Sequence, residues 1–342
     1  MKIVSHCYIK NDIYDISNVR GGTTKLYKEF YNKRINKALF CGVLYMAEDI
    51  LALSDGFAEI YLPEVKIGSN KILQPRCPME FQIDIEDIKK YRKQFDIMLA
   101  YINTPSQIKA ICDGVYNGTE AIRIFYEFDK QYSKKICLVG DKNVNWWITQ
   151  EFRDMQLIHK LKTFPQNVYC PPHNKLSLTK LKNFIKKYCK KDNDFCTQFH
   201  SESNKDVLSY AMKKNSYIGG TTGMIYNINR KPNVKWIIPT IDNYIKNVKS
   251  ETNVDIISPV MSCLSMNYTT LDKVKKAKKL LDNYGYVAEL LISDDYPYFD
   301  LKILMEQYIK RFNEQLIIPA VKLSLTNKLS ATLKNRLSYI IN

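Results

Sequence analysis

One unit is written three times in this chain. Residues 3–30 run from an apolar strand through a polar exit at His6 and Tyr8, a short helical stretch and a Gly-Gly-Thr-Thr turn into a new helix. Residues 97–128 repeat the order, with exits at Tyr101 and Asn103 and a turn at Asn117, Gly118 and Thr119. Residues 195–228 repeat it again, with exits at His200 and Glu202 and a turn at Gly219 to Thr222. Each half-unit leads into a second apolar strand (KALFCGV, KKICLVG, VKWIIPT), a helix, and a third short strand that ends near Cys77, Cys170 or Cys263. The two intervals between these cysteines are both 93 residues. Short apolar strands alternating with helices imply parallel sheets with helices on their faces. The expected fold class is therefore α/β: three αβα domains related by a pseudo-threefold axis. The expected boundaries are 1–93, 94–190 and 191–275, with an insertion at 276–312. Within the C-terminal stretch 313–342, the helical apolar spacing of 320–341 predicts a helix packing back on the first repeat. Ligands of parallel sheets sit beyond the carboxyl ends of the strands, so the three polar exits are expected to face one centre.

The chemistry-bearing residues sit at equivalent places in the repeats. Cys77 and Cys170 are each followed by proline and Cys263 lies in SCLSM, loop-like settings that give a core thiol little to do. Three thiolates without a fourth equivalent suit a cluster or metal ion that keeps one position open. Of the four histidines, His6, His173 and His200 fall at a strand exit or beside a candidate ligand cysteine. With Tyr8, Tyr101 and Glu202 they supply acid–base groups and donors for an anionic substrate. The glycine–threonine turns precede helices, where exposed backbone N–H groups and the hydroxyls of Thr23, Thr119 and Thr221 suit a phosphate or carboxylate. Such turns are also ordinary helix caps, so their weight comes from the repetition.

Composition narrows the alternatives. The 342 residues suggest about two domains of roughly 150 residues, and an apolar fraction of 45% is ample for a core. No apolar run approaches the roughly 18 residues needed to span a bilayer, and the N-terminus lacks signal-peptide features, so a cytoplasmic location and no membrane association are expected. In a reducing compartment the nine cysteines are buried hydrophobes or metal and redox residues, not a disulfide framework. The net charge of +16 lies in scattered lysines such as the KVKKAKK run at 273–279, with no zinc-finger, RNP or helix-turn-helix signature beside it. No specific nucleic-acid partner is expected.

The strings FCGVLYMAE (40–48), CPME (77–80), AYINT (100–104), GDKN (140–143), CPPH (170–173), HSE (200–202), GGTTGM (219–224) and CLSM (263–266) resemble, in order, the successive motifs of the quinolinate synthase family. The resemblance runs from His6 to about Thr270 and resumes at IIPAVKL, 317–323. It implies three domains around a [4Fe-4S] cluster ligated by Cys77, Cys170 and Cys263, with one open iron acting as a Lewis acid. It implies condensation of iminoaspartate with dihydroxyacetone phosphate to quinolinate, for NAD biosynthesis, and an L-aspartate oxidase as a partner enzyme. By matching position, Tyr8 and Glu202 would handle protons, and His6, His173 and His200 would hold substrate oxygens. Tyr101 and Asn103 would line and close the pocket, and Thr23 and Thr221 would bind phosphate or carboxylate.

The departures bear on the exact reaction. Gly22 stands where the family has an Asp, Gly118 where it has a substrate-binding Ser, and Ile241 where it has a Glu. Ser201 replaces the Pro of His-Pro-Glu, and Ser265 an Asn. Thr119 is the expected substitute for the hydroxyl that Gly118 lacks. Two other readings are a paralogue using the same scaffold to condense or dehydrate another phosphorylated ketose, and a basic nucleic-acid-binding protein whose cluster is structural or lost. The retained His6, Tyr8, His173, His200 and Glu202 speak against the last.

Overall fold

The structure, a computed structural model, describes residues 1–68, 71–131, 135–152, 161–189, 195–294, 299–303, 310–312 and 315–341. The described residues carry seventeen strands in three sheets. The first sheet begins with β1 (Lys2–His6), β2 (Val19–Gly21), β3 (Lys37–Cys41), β4 (Glu59–Gly68) and β5 (Lys71–Gln74). The second holds β6 (Ile97–Tyr101), β7 (Gly114–Tyr116), β8 (Ile136–Val139) and β9 (Leu161–Phe164). The third holds β10 (Cys196–His200), β11 (Tyr217–Gly219), β12 (Trp236–Ile237) and β13 (Ile256–Ile257).

The repetition is one of topology. In each copy the first strand lies between the second and the third, and the fourth follows the third: β2-β1-β3-β4, β7-β6-β8-β9 and β11-β10-β12-β13, all parallel. Runs such as IMLAY and ICLV are buried along their whole length, as strands covered on both faces must be. The repetition also reaches single atoms at the strand exits. The N–H groups of Cys7, Ile102 and Ser201 donate to the carbonyls of Gly21, Tyr116 and Gly219 at 2.8, 2.8 and 3.0 Å.

Two compact units contain these sheets, and each is described by itself. The first comprises 1–80, 103–111 and 264–342, the second 81–102 and 112–263. In the first unit the parallel core is extended by β14 (Ala288–Ile292), β15 (Phe299–Ile303), β16 (Lys310–Phe312) and β17 (Gln315–Leu325). Of the stretch 276–312, read from sequence as an insertion, the described residues supply the end of the helix Leu271–Tyr284 and three strands of this sheet. The expected helix is shorter than read. Residues 315–325 form a strand, because QLIIPAVKLSL finds a partner along the whole of β4 and another in β14, which fixes the extended backbone. The helix itself spans Asn327–Ile341 and buries Leu329, Leu333, Leu337 and Ile340, whose three- and four-residue spacing makes one face. That face packs on the helix Leu44–Leu53, at about 1.5–3 kcal/mol for each fully buried Leu or Ile.

Candidate active site

In the second unit, three strand and loop ends converge on Glu202. β6 ends at Tyr101, whose hydroxyl donates to Glu202 Oε1 at 2.8 Å. The loop after β9 leads to the helix Pro171–Asn174, which starts at two prolines and sets His173 one turn beyond Cys170. His173 Nδ1 is 3.0 Å from Glu202 Oε2 and 3.2 Å from Cys170 Sγ, and its Nε2 is 2.9 Å from Thr240 Oγ1. Beyond β10, the His200 ring stacks on that of His173 with centroids 4.2 Å apart. Glu202 N–H donates to His200 Nδ1 at 3.3 Å. All four partners of this network are buried: Tyr101, His173, His200 and Glu202.

Burial alone would raise the Glu202 carboxyl, but His200, the hydrogen bond from His173 and that from Tyr101 outweigh it and hold the group well below the usual carboxylate range. An ionised carboxylate only accepts, so the proton between it and His173 sits on Nδ1, and His173 Nε2 faces the Thr240 hydroxyl. Asp141 stands behind. Burial and the charge of Glu202 push its carboxyl up, against three backbone N–H donors that favour the ionised form. Two of those donors, Asn143 and Val144, open the helix Lys142–Glu151, and the third is Cys170 N–H at 2.8 Å. One aspartate thus caps a helix and pins the backbone of a candidate ligand cysteine. Asn143 Nδ2 donates to Glu202 O at 3.1 Å and steadies the turn that carries the carboxylate. Gly140, at φ +136°, must be glycine, because a β-carbon there would overlap that of Tyr101.

The first unit holds His6, Tyr8, Thr23, Cys77 and Asn103. His6 Nδ1 accepts Tyr8 N–H at 3.2 Å, matching the His200–Glu202 arrangement, and His6 Nε2 is 3.2 Å from Thr23 Oγ1. Asn103 Oδ1 accepts from the Tyr45 hydroxyl at 2.5 Å. Cys77 N–H donates to Glu80 Oε1 at 2.8 Å, and Glu80 Oε2 pairs with Arg76 Nε at 2.8 Å. As at Cys170, a buried carboxylate holds the cysteine's backbone. Thr221 opens the helix Thr221–Arg230 in the second unit, and the Thr119 hydroxyl hydrogen-bonds that of Tyr217.

The cysteines sort by environment. Burial pushes the thiols of Cys41 and Cys137, inside β3 and β8, up to about 12, so they stay neutral core groups. Cys77 in the first unit and Cys170 and Cys263 in the second are each partly exposed loop residues, the setting in which a soft thiolate can reach iron. Cys170, His173 and Glu202 also lie close enough together to hold one ion. Their separations of 3.0 and 3.2 Å are hydrogen-bond lengths, and the trio closes on itself through the Nδ1 proton.

Asp141, Asn143 and Thr240 were not singled out for roles by sequence reasoning. GDKN carries the only prior signal, an Asp just after a strand and before a helix. Among the described residues no helix is long and apolar enough to cross a membrane.

A family model described as Quinolinate synthetase A protein matches residues 1–291. The chain is 24% identical over 298 residues to a quinolinate synthase of Clostridioides difficile (strain 630), covering 86% of this chain and 88% of the relative. It is 27% identical over 296 residues to one of Fusobacterium nucleatum subsp. nucleatum, covering 86% and 89%. It is 22% identical over 277 residues to one of Methanopyrus kandleri, covering 80% and 87%.

Proposed function

This chain belongs to the quinolinate synthetase A protein family, a family of enzymes, and we propose from that premise that it condenses iminoaspartate with dihydroxyacetone phosphate to quinolinate, releasing phosphate and water. The observation that carries the reading is the buried chain Tyr101–Glu202–His173–Thr240, in which a carboxylate kept ionised by its partners is joined to a phenol and an imidazole. Condensation and dehydration need a base at a carbon beside a carbonyl or imine and an acid at a departing oxygen. In the proposed mechanism Glu202 takes up the proton. Tyr101 returns one through the hydrogen bond they share, and His173 and His200 each hold a substrate oxygen, His173 by exchanging its Thr240 partner at Nε2. Tyr8, two residues past His6, is the second proton-handling group besides Glu202, His6 and Thr23 bind an anionic group of the substrate, and Asn103 lines the pocket. Cys77, Cys170 and Cys263 would hold a [4Fe-4S] cluster, whose open iron supplies Lewis-acid polarisation of a substrate oxygen when the cluster is bound. Sequestration of the network from water keeps reactive imines from hydrolysis.

The test is direct. Protein purified and reconstituted with iron and sulfide without oxygen, then given dihydroxyacetone phosphate and freshly generated iminoaspartate, releases quinolinate and inorganic phosphate in equal amounts. Absence of quinolinate from iron-replete protein refutes the reading.

A further inference from the structure

Ser201 lies between His200 and Glu202, and its side chain is fully buried. Its backbone N–H is committed to Gly219 O at 3.0 Å, which fixes the turn, but its hydroxyl has no hydrogen-bond partner among the described residues. A buried hydroxyl without a partner is costly, and a bound ligand is one way to supply the partner. The direction of the side chain says where that ligand group sits. A β-carbon on Gly118 would fall on Ser201 Oγ, and the same point is 3.2 Å from Gly220 N. The Ser201 hydroxyl therefore fills the space that glycine leaves at residue 118, beside the start of the helix Thr221–Arg230. The cap of that helix, Gly220, gives no side-chain hydrogen bond to the first N–H groups. Those N–H groups and the helix dipole favour a negative oxygen. The other hydroxyl of this corner, Thr119, is already bonded to Tyr217.

We propose that Ser201, and not Thr119, is the hydroxyl with which this chain binds an anionic oxygen, of a phosphate or a carboxylate, at the start of the helix Thr221–Arg230. Gly118 and Ser201 act as one position, the glycine making the room that the serine fills. The inference rests on reading the His200–Glu202 turn as part of the active site.

The test measures both binding and turnover in the cluster-loaded protein. Calorimetric titration with dihydroxyacetone phosphate and, separately, with malate distinguishes the phosphate from the carboxylate source. Ser201→Ala weakens one of the two by about tenfold, the loss expected for one hydrogen bond to a charged group, raises KM for the substrate carrying that group, and leaves kcat within about twofold. Gly118→Ser alone also weakens binding, because its side chain overlaps Ser201, and in the Ser201→Ala background it restores most of what was lost. Ser203→Ala, removing the other unpaired buried hydroxyl of the turn, changes neither titration. Unchanged titrations for Ser201→Ala, full binding by Gly118→Ser beside an intact Ser201, or an equal loss in Ser203→Ala overturns the proposal. Normal turnover with an indifferent Ser201→Ala sinks this inference alone. Wild type that binds a probe in a Ser201-dependent way yet makes no quinolinate sinks the reaction and leaves the subsite standing, and wild type that binds neither probe overturns the subsite.

Discussion

Replacing Glu202 by Gln tests the network at the point where its chemistry and its architecture separate. Gln keeps the shape of the side chain, and its amide oxygen still accepts the Tyr101 hydroxyl now 2.8 Å from Oε1. The amide nitrogen then faces His173 Nδ1, presently 3.0 Å from a carboxylate oxygen, and two donors cannot share that contact. His173 must move its proton to Nε2, where Thr240 Oγ1 at 2.9 Å accepts it. The fold tolerates the change because every polar atom keeps a partner, but the base is gone and the imidazole presents the wrong tautomer. Loss of a general base costs about 10²–10⁴ in rate, equivalent to about 3–5 kcal/mol of barrier. Initial rates of quinolinate formation should fall by that factor, with iron content and visible absorbance unchanged. Glu202→Asp, which keeps the charge but withdraws it by one methylene, should fall between. Activity within threefold of wild type would refute the assignment of Glu202 as the proton acceptor. Loss of iron together with activity would show that Cys170, His173 and Glu202 themselves hold the metal, against the three-cysteine set.

Four further outcomes follow from the same geometry. Cys77→Ala, Cys170→Ala or Cys263→Ala should abolish the visible absorbance and the approximately four irons per chain, whereas Cys41→Ala and Cys137→Ala should keep both; iron analysis decides. Burial, then the nearby Glu80 charge, raises the Glu48 carboxyl to about 7, so its protonated form stabilises the fold fully below the unfolded value near 4.5 and that stability is lost as pH rises through 7. Glu48→Gln should therefore raise the unfolding free energy measured in urea more at pH 8 than at pH 5, by up to about 3 kcal/mol, and an equal gain at both pH values would contradict the shift. Gly140→Ala should displace Tyr101 and lower kcat at least tenfold while the circular dichroism spectrum is retained, roughly the cost of one misplaced reacting group. Duplex DNA should bind weakly and without sequence preference, and release at moderate salt, as scattered lysines would do; selective nanomolar binding would count against the enzyme reading.

The repeat was legible because its signal is local. Strand, polar exit and glycine turn fall within about thirty residues, and each copy rebuilt the same order of four strands. The exits were legible for the same reason: His6 and His200 both accept an N–H from two residues on, a contact that needs no distant partner. What holds Glu202 in place was not legible, since Asp141, Asn143 and Thr240 reach their partners across 29 to 67 residues. Residues 315–325 illustrate the opposite limit. Their apolar spacing serves a helix or a strand, and only the presence of β4 along their length decides for the strand.

Repetition of the scaffold with variation at the exits shows how one small unit delivers different chemical groups. The position two residues past the first strand's last residue is Tyr8 in one copy, Asn103 in the second and Glu202 in the third. A phenol, an amide and a carboxylate are thus delivered by the same turn, and only the third copy brings a charge. That charge is kept negative by two stacked imidazoles and a tyrosine from its own unit. The asymmetry is chemical and not architectural. Exchanging the exit residues between copies should leave the sheets intact and stop the proposed reaction, because the groups that keep a buried carboxylate ionised, His200, His173 and Tyr101, are those gathered around the Glu202 turn.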